Sequence, residues 1–331
     1  MTIWPRAIAQ GWHPIAYLSE IPARAPWACR LMGRALVAFR NRVGGVSVFA
    51  DRCPHRGAPL SRGRIEAGAL VCPYHGWRFA PEGACLEAPG ASDCPPAHAE
   101  VMPVRIEAGL VWTSLAEAPP AFPALPEAMS DPALDRFWWR LPASEADLLD
   151  ALENHLDPAH PHHVHPWLVR HPRRRAPTSV DVRMGPWGGE AVYVEERRNA
   201  ALLSQAMEGK RARSIGRLWP PTIGEVRLEA AGGAMLSIAV VFSPREDGWT
   251  RPYAHFASTR GRLPAWVKQG ALKAFHRPVL AQDRRMLAWQ RRAKGDLRFA
   301  NGPLDVLSRA IWRHANGEPV EESATRRELQ L

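Results

Sequence analysis

Two short stretches, CPHRGAPLSRG (Cys53–Gly63) and CPYHGWRFAPEG (Cys72–Gly83), each pair one cysteine with one histidine. As a spacing, Cys53, His55, Cys72 and His75 read C-x-H-x16-C-x2-H. Two loops that each offer a thiolate and an imidazole can clasp a metal centre from opposite sides. A tetrahedral Cys2His2 zinc site would use the same four side chains. A zinc finger, however, gathers its cysteines in one knuckle and its histidines on a helix, whereas here both knuckles are mixed. Mixed knuckles suit a centre with two inequivalent irons, Cys53 and Cys72 on one and His55 and His75 on the other.

Outward from the knuckles the sequence is strand-like. ALVAFRNRVGGVSVFA (Ala35–Ala50) reads as strand, Gly-Gly turn, strand. VMPVRIEAGLVWTSL (Val101–Leu115) closes a small all-β region. Four prolines in AEAPPAFPALPEAM (Ala116–Met129) restrict their predecessors to extended backbone, which predicts a linker. Domains over residues 1–118 and 119–331 follow. In the second, SEADLLDALENHL (Ser144–Leu156) predicts a helix capped by Ser144, and strands follow between Ser179 and Ser258. A further helix is expected from about Pro264 to Gln290, interrupted near Pro278, and the polar tail after Trp312 reads as frayed. There is no internal repeat. The fold class is α+β: a small β domain, then a larger α+β domain.

Composition sets the outer bounds. The chain has 331 residues, 46% apolar and 23% charged, an ordinary globular mix. No run approaches the ~18–20 apolar residues of a membrane span, and MTIWPRAIAQ lacks a secretory layout. These features predict a cytoplasmic protein with no membrane span. The net charge of +10 comes from dispersed arginines, so no nucleic-acid partner is expected. The dense run at Arg173–Arg175 is a candidate docking patch for an acidic redox partner. Five cysteines, Cys29, Cys53, Cys72, Cys85 and Cys94, argue against a disulfide framework. Cys85 and Cys94 could bridge, but free thiols are expected; Cys29 reads as a small core residue and Trp77 as packing beside the metal centre.

HLDPAHPHHVH (His155–His165) holds five histidines: His155, His160, His162, His163 and His165. Non-haem Fe(II) oxygenases bind iron through two histidines and one carboxylate and leave the other positions open. Here the resemblance to a known family becomes explicit. The two knuckles closely resemble the Rieske [2Fe–2S] signature of ring-hydroxylating oxygenases. ENHLDPAHPHHVH (Glu153–His165) resembles the mononuclear-iron segment of Rieske non-haem iron oxygenases. That resemblance implies His160 and His165 as ligands, with Pro161 breaking the helix between them so that both imidazoles reach one metal. It implies the third ligand as Asp283, in VLAQDRRMLAWQ (Val279–Gln290). It further implies that Asp157 bridges His160 and, across a subunit boundary, the cluster ligand His75 of a neighbouring copy. Asn154 matches an asparagine near the iron, although a structural amide is the competing reading. His155 is expected to be packed or hydrogen-bonded; of His162 and His163 one could approach the pocket, with solvent or interface positions equally open, and neither is assigned a metal role. The isolated histidines, His276 among them, read as structural, and of these only His255, in PYAHFAS, is a candidate pocket residue.

The resemblance thus implies a terminal oxygenase: an all-β Rieske domain and a helix-grip-like catalytic domain built on an antiparallel sheet. Its cofactors would be a [2Fe–2S] cluster, a mononuclear non-haem Fe(II) and O2, with NAD(P)H electrons arriving through a ferredoxin, a flavin reductase or both. A homotrimer is implied, because the Asp157 bridge requires a neighbour. The layout is close to that of dicamba monooxygenase and vanillate demethylase, so hydroxylation or oxidative demethylation of an aromatic or other small hydrophobic molecule is expected. Ring cis-dihydroxylation, or a non-catalytic Rieske electron carrier, are the alternatives.

Overall fold

The computed structural model describes residues 4–42, 44–173, 175–195, 211–295, 297 and 299–331. Arg174 of the arginine run and residues 196–210 of the predicted strand region lie outside the described residues. The chain separates into two compact units. One comprises Ala9–Phe122 with Ser243–Asp247, the other Pro5–Ile8, Pro123–Phe242 and Gly248–Leu331. The switch falls four residues beyond the boundary placed at 118, and two short segments change sides.

The first unit is β throughout its core. Trp27–Leu31, Arg34–Arg40, Val46–Ala50 and Val101–Met102 form one antiparallel sheet, and the expected hairpin closes through Asn41, whose N–H donates to Gly45 O (3.1 Å). A second sheet joins Arg64–Glu66, Ala69–Val71, Arg78–Phe79 and Cys85–Glu87. A third joins His13–Tyr17, Leu110–Thr113 and Val104–Glu107. Val37, Phe39, Phe49, Leu60, Leu70 and Phe79 fill a core that also takes in Cys53 and Cys72. Cys29 packs into the neighbouring apolar cluster, as a small core residue should.

The proline-rich stretch is not a loose tether. Phe122 sets its ring 5.1 Å from Trp112 and 5.8 Å from Trp12, and Arg105 lies over it at 4.3 Å. Trp12 Nε1 donates to Pro120 O at 2.9 Å. The prolines keep the backbone extended while one aromatic side chain anchors it.

In the second unit a large antiparallel sheet runs in the order Leu134–Arg140, Trp249–Thr259, Met235–Glu246, Ile223–Ala230, Arg211–Trp219, Gly188–Glu195, Pro177–Gly185 and Ser323–Gln330. The tail expected to fray is therefore ordered. Ser308–Asn316 is a helix closed by Gly317 in the left-handed region, and Ser323–Gln330 pairs with Pro177–Gly185 along its whole length. Its side chains are polar because an edge strand faces solvent, and backbone pairing holds it in place.

Ser144 also differs from its reading as a cap. Ser144–Glu145 pairs with Trp249–Thr250, and the helix starts later, at Leu148–Leu156 with Asp147 in the N-cap position. The long helix Ala265–Ala293 runs through Pro278 without interruption. Ala274, whose carbonyl the missing proline N–H leaves unbonded, and Pro278 itself are both on the exposed side, where water can satisfy that carbonyl.

Candidate metal centres

The two cysteine–histidine knuckles are built alike. In the first, Cys53 N–H donates to Ala58 O (2.8 Å) and Gly57 N–H to Cys53 O (2.8 Å). In the second, Cys72 N–H donates to Trp77 O (2.8 Å) and Gly76 N–H to Cys72 O (3.2 Å). Both turns close on a glycine in the left-handed region, Gly57 at φ +74° and Gly76 at φ +72°, a conformation a Cβ would strain. Cys72 follows directly on the strand Ala69–Val71 and Cys53 lies three residues beyond Val46–Ala50, and both cysteines are buried (2% exposed each).

The imidazoles point the other way. His55 is half-buried and His75 exposed, with ring centroids 4.7 Å apart. Trp77 stacks on His55 at 4.5 Å and 7°, the packing role expected of it. His55 Nδ1 is buried and has no hydrogen-bond partner. An imidazole nitrogen buried without a partner beside a second imidazole and two thiols fits a metal ligand better than a packing residue. The donor set, buried sulfurs and outward nitrogens, suits a [2Fe–2S] centre whose histidine-ligated iron lies near the surface.

The second candidate centre joins residues from two distant parts of the chain. After Leu156 the backbone leaves the helix at Asp157 (φ −75°, ψ 121°) and makes a single turn over Pro161–Val164. Pro161 occupies the first position of that turn, where its missing N–H costs nothing. His160 and His165 flank the turn, and their rings stand 5.3 Å apart at 82°. Asp283 comes from the long helix. Its Oδ1 lies 2.9 Å from His165 Nε2 and 3.6 Å from His160 Nε2. Ligand atoms of all three lie within 4.8 Å of one another, the one such group of metal-ligating side chains among the described residues.

His165 Nε2 and Asp283 Oδ1 are buried, close, and yet lack the alignment of a hydrogen bond with each other or with anything else. Atoms of this kind converging on a common point fit a bound cation. Two imidazoles and one carboxylate on one side, with a cavity on the other, is the donor set of non-haem Fe(II).

Contacts around the triad orient its members. Gln282 Oε1 accepts from His165 Nδ1 at 2.8 Å, which leaves Nε2 as the ligating nitrogen. His160 Nδ1 donates to the backbone carbonyl of Asp157 at 2.9 Å, while the Asp157 carboxylate stands back at 3.7 Å. The bridge expected from that carboxylate to His160 is thus replaced here by its main chain. Asp157 Oδ1 instead accepts from Ala159 N–H (2.7 Å), and the side chain remains one-third exposed (34%). Asn154 stands near enough to Asp283 to favour its charged form, and it lines the adjoining cavity.

The electrostatics divide the three groups. Burial opposes the charge of Asp283, but contact with His165, the nearby His160 and Asn154 outweigh it and hold the carboxyl below its ordinary range. Burial lowers His160, against the pull of Asp283 and Asp157. Burial also acts to lower His165, but Asp283 and Gln282 prevail and raise it.

A cavity of about 260 Å³ opens on the triad. Its walls are mainly apolar and come from alternate residues of the sheet, such as Val226, Leu228, Ile238, Val240 and Phe242, faced by Phe275 of the long helix. His155 lines it too, hydrogen-bonded through Nε2 to Ile238 O (3.3 Å). His276, read as structural, is on this wall. His255 is not: strand alternation turns it to the opposite face, buried against Trp138 at 4.8 Å. The expectation for His162 is also corrected. It is buried (1% exposed), and Arg175 donates to its Nδ1 at 2.7 Å and to His163 Nε2 at 3.0 Å. Arg175 therefore contacts this histidine pair while remaining exposed. Sequence reasoning missed the orienting role of Gln282, although its place beside Asp283 was the available signal. It also missed Tyr193, whose buried hydroxyl without a partner lines the cavity.

Residues 11–103 match the Rieske [2Fe–2S] domain, and residues 144–310 match the vanillate O-demethylase oxygenase C-terminal domain, which alone covers half of the chain. A 5,5'-dehydrodivanillate O-demethylase oxygenase subunit from Sphingobium sp. is 31% identical over 308 residues, covering 84% of this chain and 67% of its own. Alignments with the next curated relatives span less than half of their length. Among solved structures, dicamba monooxygenase bound to dicamba superposes with a TM-score of 0.79 at 20% identity, covering 94% of this chain and 97% of the other. NdmA of Pseudomonas putida CBB5 with caffeine gives 0.78 at 22% identity, covering 95% and 97%. At such identities these two show a shared fold.

Proposed function

The chain belongs to the Rieske non-haem iron oxygenases, and from that premise we propose that it oxidatively removes a methyl group from a methoxylated aromatic of about one substituted ring. The observation that carries the reading is the apolar cavity of about 260 Å³ ending on His160, His165 and Asp283. An apolar cavity of ~150 Å³ already admits benzene, so this one has room for a ring with several substituents. The similarity to a demethylase subunit along most of the chain favours loss of a methyl group over ring dihydroxylation.

When bound, the cluster on Cys53, His55, Cys72 and His75 and the iron on His160, His165 and Asp283 supply electron transfer and O2 activation. The remaining work falls to the protein. The apolar strands bind the ring and exclude bulk water. Gln282 and the Asp157 carbonyl hold the two imidazoles in the tautomer that presents Nε2. Asn154 and Asp157 are placed beside the triad, Asn154 steadying the carboxylate and Asp157 leaving one carboxylate oxygen for a neighbouring group. The reaction balances as an aryl methyl ether, O2, two electrons and two protons giving a phenol, formaldehyde and water.

The electrons would come from a ferredoxin, a flavin reductase or both, drawing on NAD(P)H. The working assembly would be a homotrimer in which Asp157 meets His75 of a neighbouring copy. No described helix is long and apolar enough to cross a membrane, and we place the protein in the cytoplasm.

Turnover with a surrogate reductase on a panel of methoxylated aromatics, under isotopically labelled O2, tests the reading. Stoichiometric formaldehyde and a phenol are expected. A cis-diol carrying both oxygen atoms, or no oxygenated product with an intact cluster, would overturn it.

A further inference from the structure

Cys85 and Cys94 belong to neither metal constellation, yet their sulfurs lie 2.8 Å apart. Unbonded heavy atoms rest at ~3.5–4.0 Å, and a disulfide bond is ~2.05 Å, so this pair sits between contact and bond. Both are free thiols in the structure and both are half-buried, within reach of a small reagent.

The surrounding backbone already holds the two together. Cys85 opens the strand Cys85–Glu87, paired with Arg78–Phe79 immediately after the second knuckle. Cys94 lies in the segment 88–98, which folds back so that Cys85 N–H donates to Ala97 O (3.3 Å) and Ala84 bridges His98. The main chain thus brings the two sulfurs to 2.8 Å of each other before any bond forms. Burial, with the neighbouring Cys94, pushes the Cys85 thiol up to about 11, so Cys85 rests as a thiol at neutral pH and reacts through a minor thiolate.

We propose that Cys85 and Cys94 are a reversible disulfide-forming pair, a covalent modification site beside the second metal knuckle. One thiolate attacks a sulfur of a small-molecule disulfide and releases one thiol. The second cysteine then attacks the mixed disulfide and releases the other. Two protein thiols become one S–S bond, and the reagent takes up the two electrons and two protons as two thiols. The new bond ties down the segment carrying Pro89. That residue lies against the knuckle: a Cβ on Gly76 would stand 3.2 Å from the Pro89 ring. Closure of the pair therefore braces the turn that presents Cys72 and His75.

The test uses the cluster-loaded protein, incubated with excess oxidised glutathione, blocked with iodoacetamide and digested with trypsin. The peptide Phe79–Arg105 contains Cys85 and Cys94 and no other cysteine. It should be unalkylated and lighter by two hydrogen atoms than its reduced form, and dithiothreitol should restore alkylation at both sites. The Cys94→Ser variant should instead carry one glutathione on Cys85. A wild-type peptide that stays doubly alkylated, or that retains glutathione, overturns the proposal. For the bracing role, visible absorbance should decay more slowly under chelator in the bridged wild type than in the reduced one. The Cys94→Ser variant should show no such difference. Equal decay rates in the two wild-type states would remove that role.

Discussion

His165 is a ligand candidate only because its ring is turned correctly, and the group that turns it is Gln282. Loss of an orienting acceptor of this kind weakens metal binding by about 10–100-fold. Gln282→Ala should release the mononuclear iron that much faster under chelator while Gln282→Glu retains it; equal retention in both variants would show that the contact is incidental. At this scale the sequence was legible where the candidate ligands are near neighbours in the chain. The knuckles at Cys53–His55 and Cys72–His75 and the turn from His160 to His165 are local features, and their geometry follows from spacing, glycine and proline. The environments of His255, His276 and His162 were not legible. Each depends on what packs against it from another element: Trp138 against His255, Phe256 against His276 and Arg175 against His162.

Among the elements, the helix Leu148–Leu156 that carries Asn154 leans directly on the strand Ile223–Ala230. A Cβ on Gly224 would lie 2.8 Å from His155 and 3.0 Å from Leu152. Gly224→Ala should lower stability by about 1–3 kcal/mol, the usual cost of overpacking. It should also disturb the triad, seen as a drop in iron content alongside the shifted melting curve; a neutral melt would mean that the helix rides up without cost. At the other end of the sheet, truncation after Asn316 removes Ser323–Gln330 and bares the edge of Pro177–Gly185. Aggregation and a lower melting temperature are expected by light scattering and calorimetry, and an unchanged melt would show that the strand is dispensable. The sequence concealed this strand because an exposed edge has little apolar alternation, just as the solvent-facing side of the long helix concealed that Pro278 could be accommodated.

For the whole molecule, buried neutral histidines set the acid limit. Burial first of all lowers His155, and burial with Arg136 lowers His255, each to about 4 against an ordinary value of 6.5. Above pH 6.5 neither the folded nor the unfolded form protonates them, and stability is fully present there. As pH falls towards 4 the unfolded chain binds protons that the folded chain refuses, so each group withdraws about 2 kcal/mol by pH 5. Chemical denaturation at pH 7 and pH 5 should show this slope, and His255→Gln should flatten part of it; an identical slope in the variant would assign the acid sensitivity elsewhere. The division into a β unit and an α+β unit was legible because composition and strand-like spacing change along the chain. The convergence of Asp283 with His160 and His165 from more than a hundred residues away came only through family resemblance. The most direct measurement of the central claim is therefore iron content per chain, wild type against Asp283→Ala. About three irons should fall to about two, with the visible cluster spectrum unchanged. An Asp283→Ala protein that keeps its full iron content and turnover would contradict it.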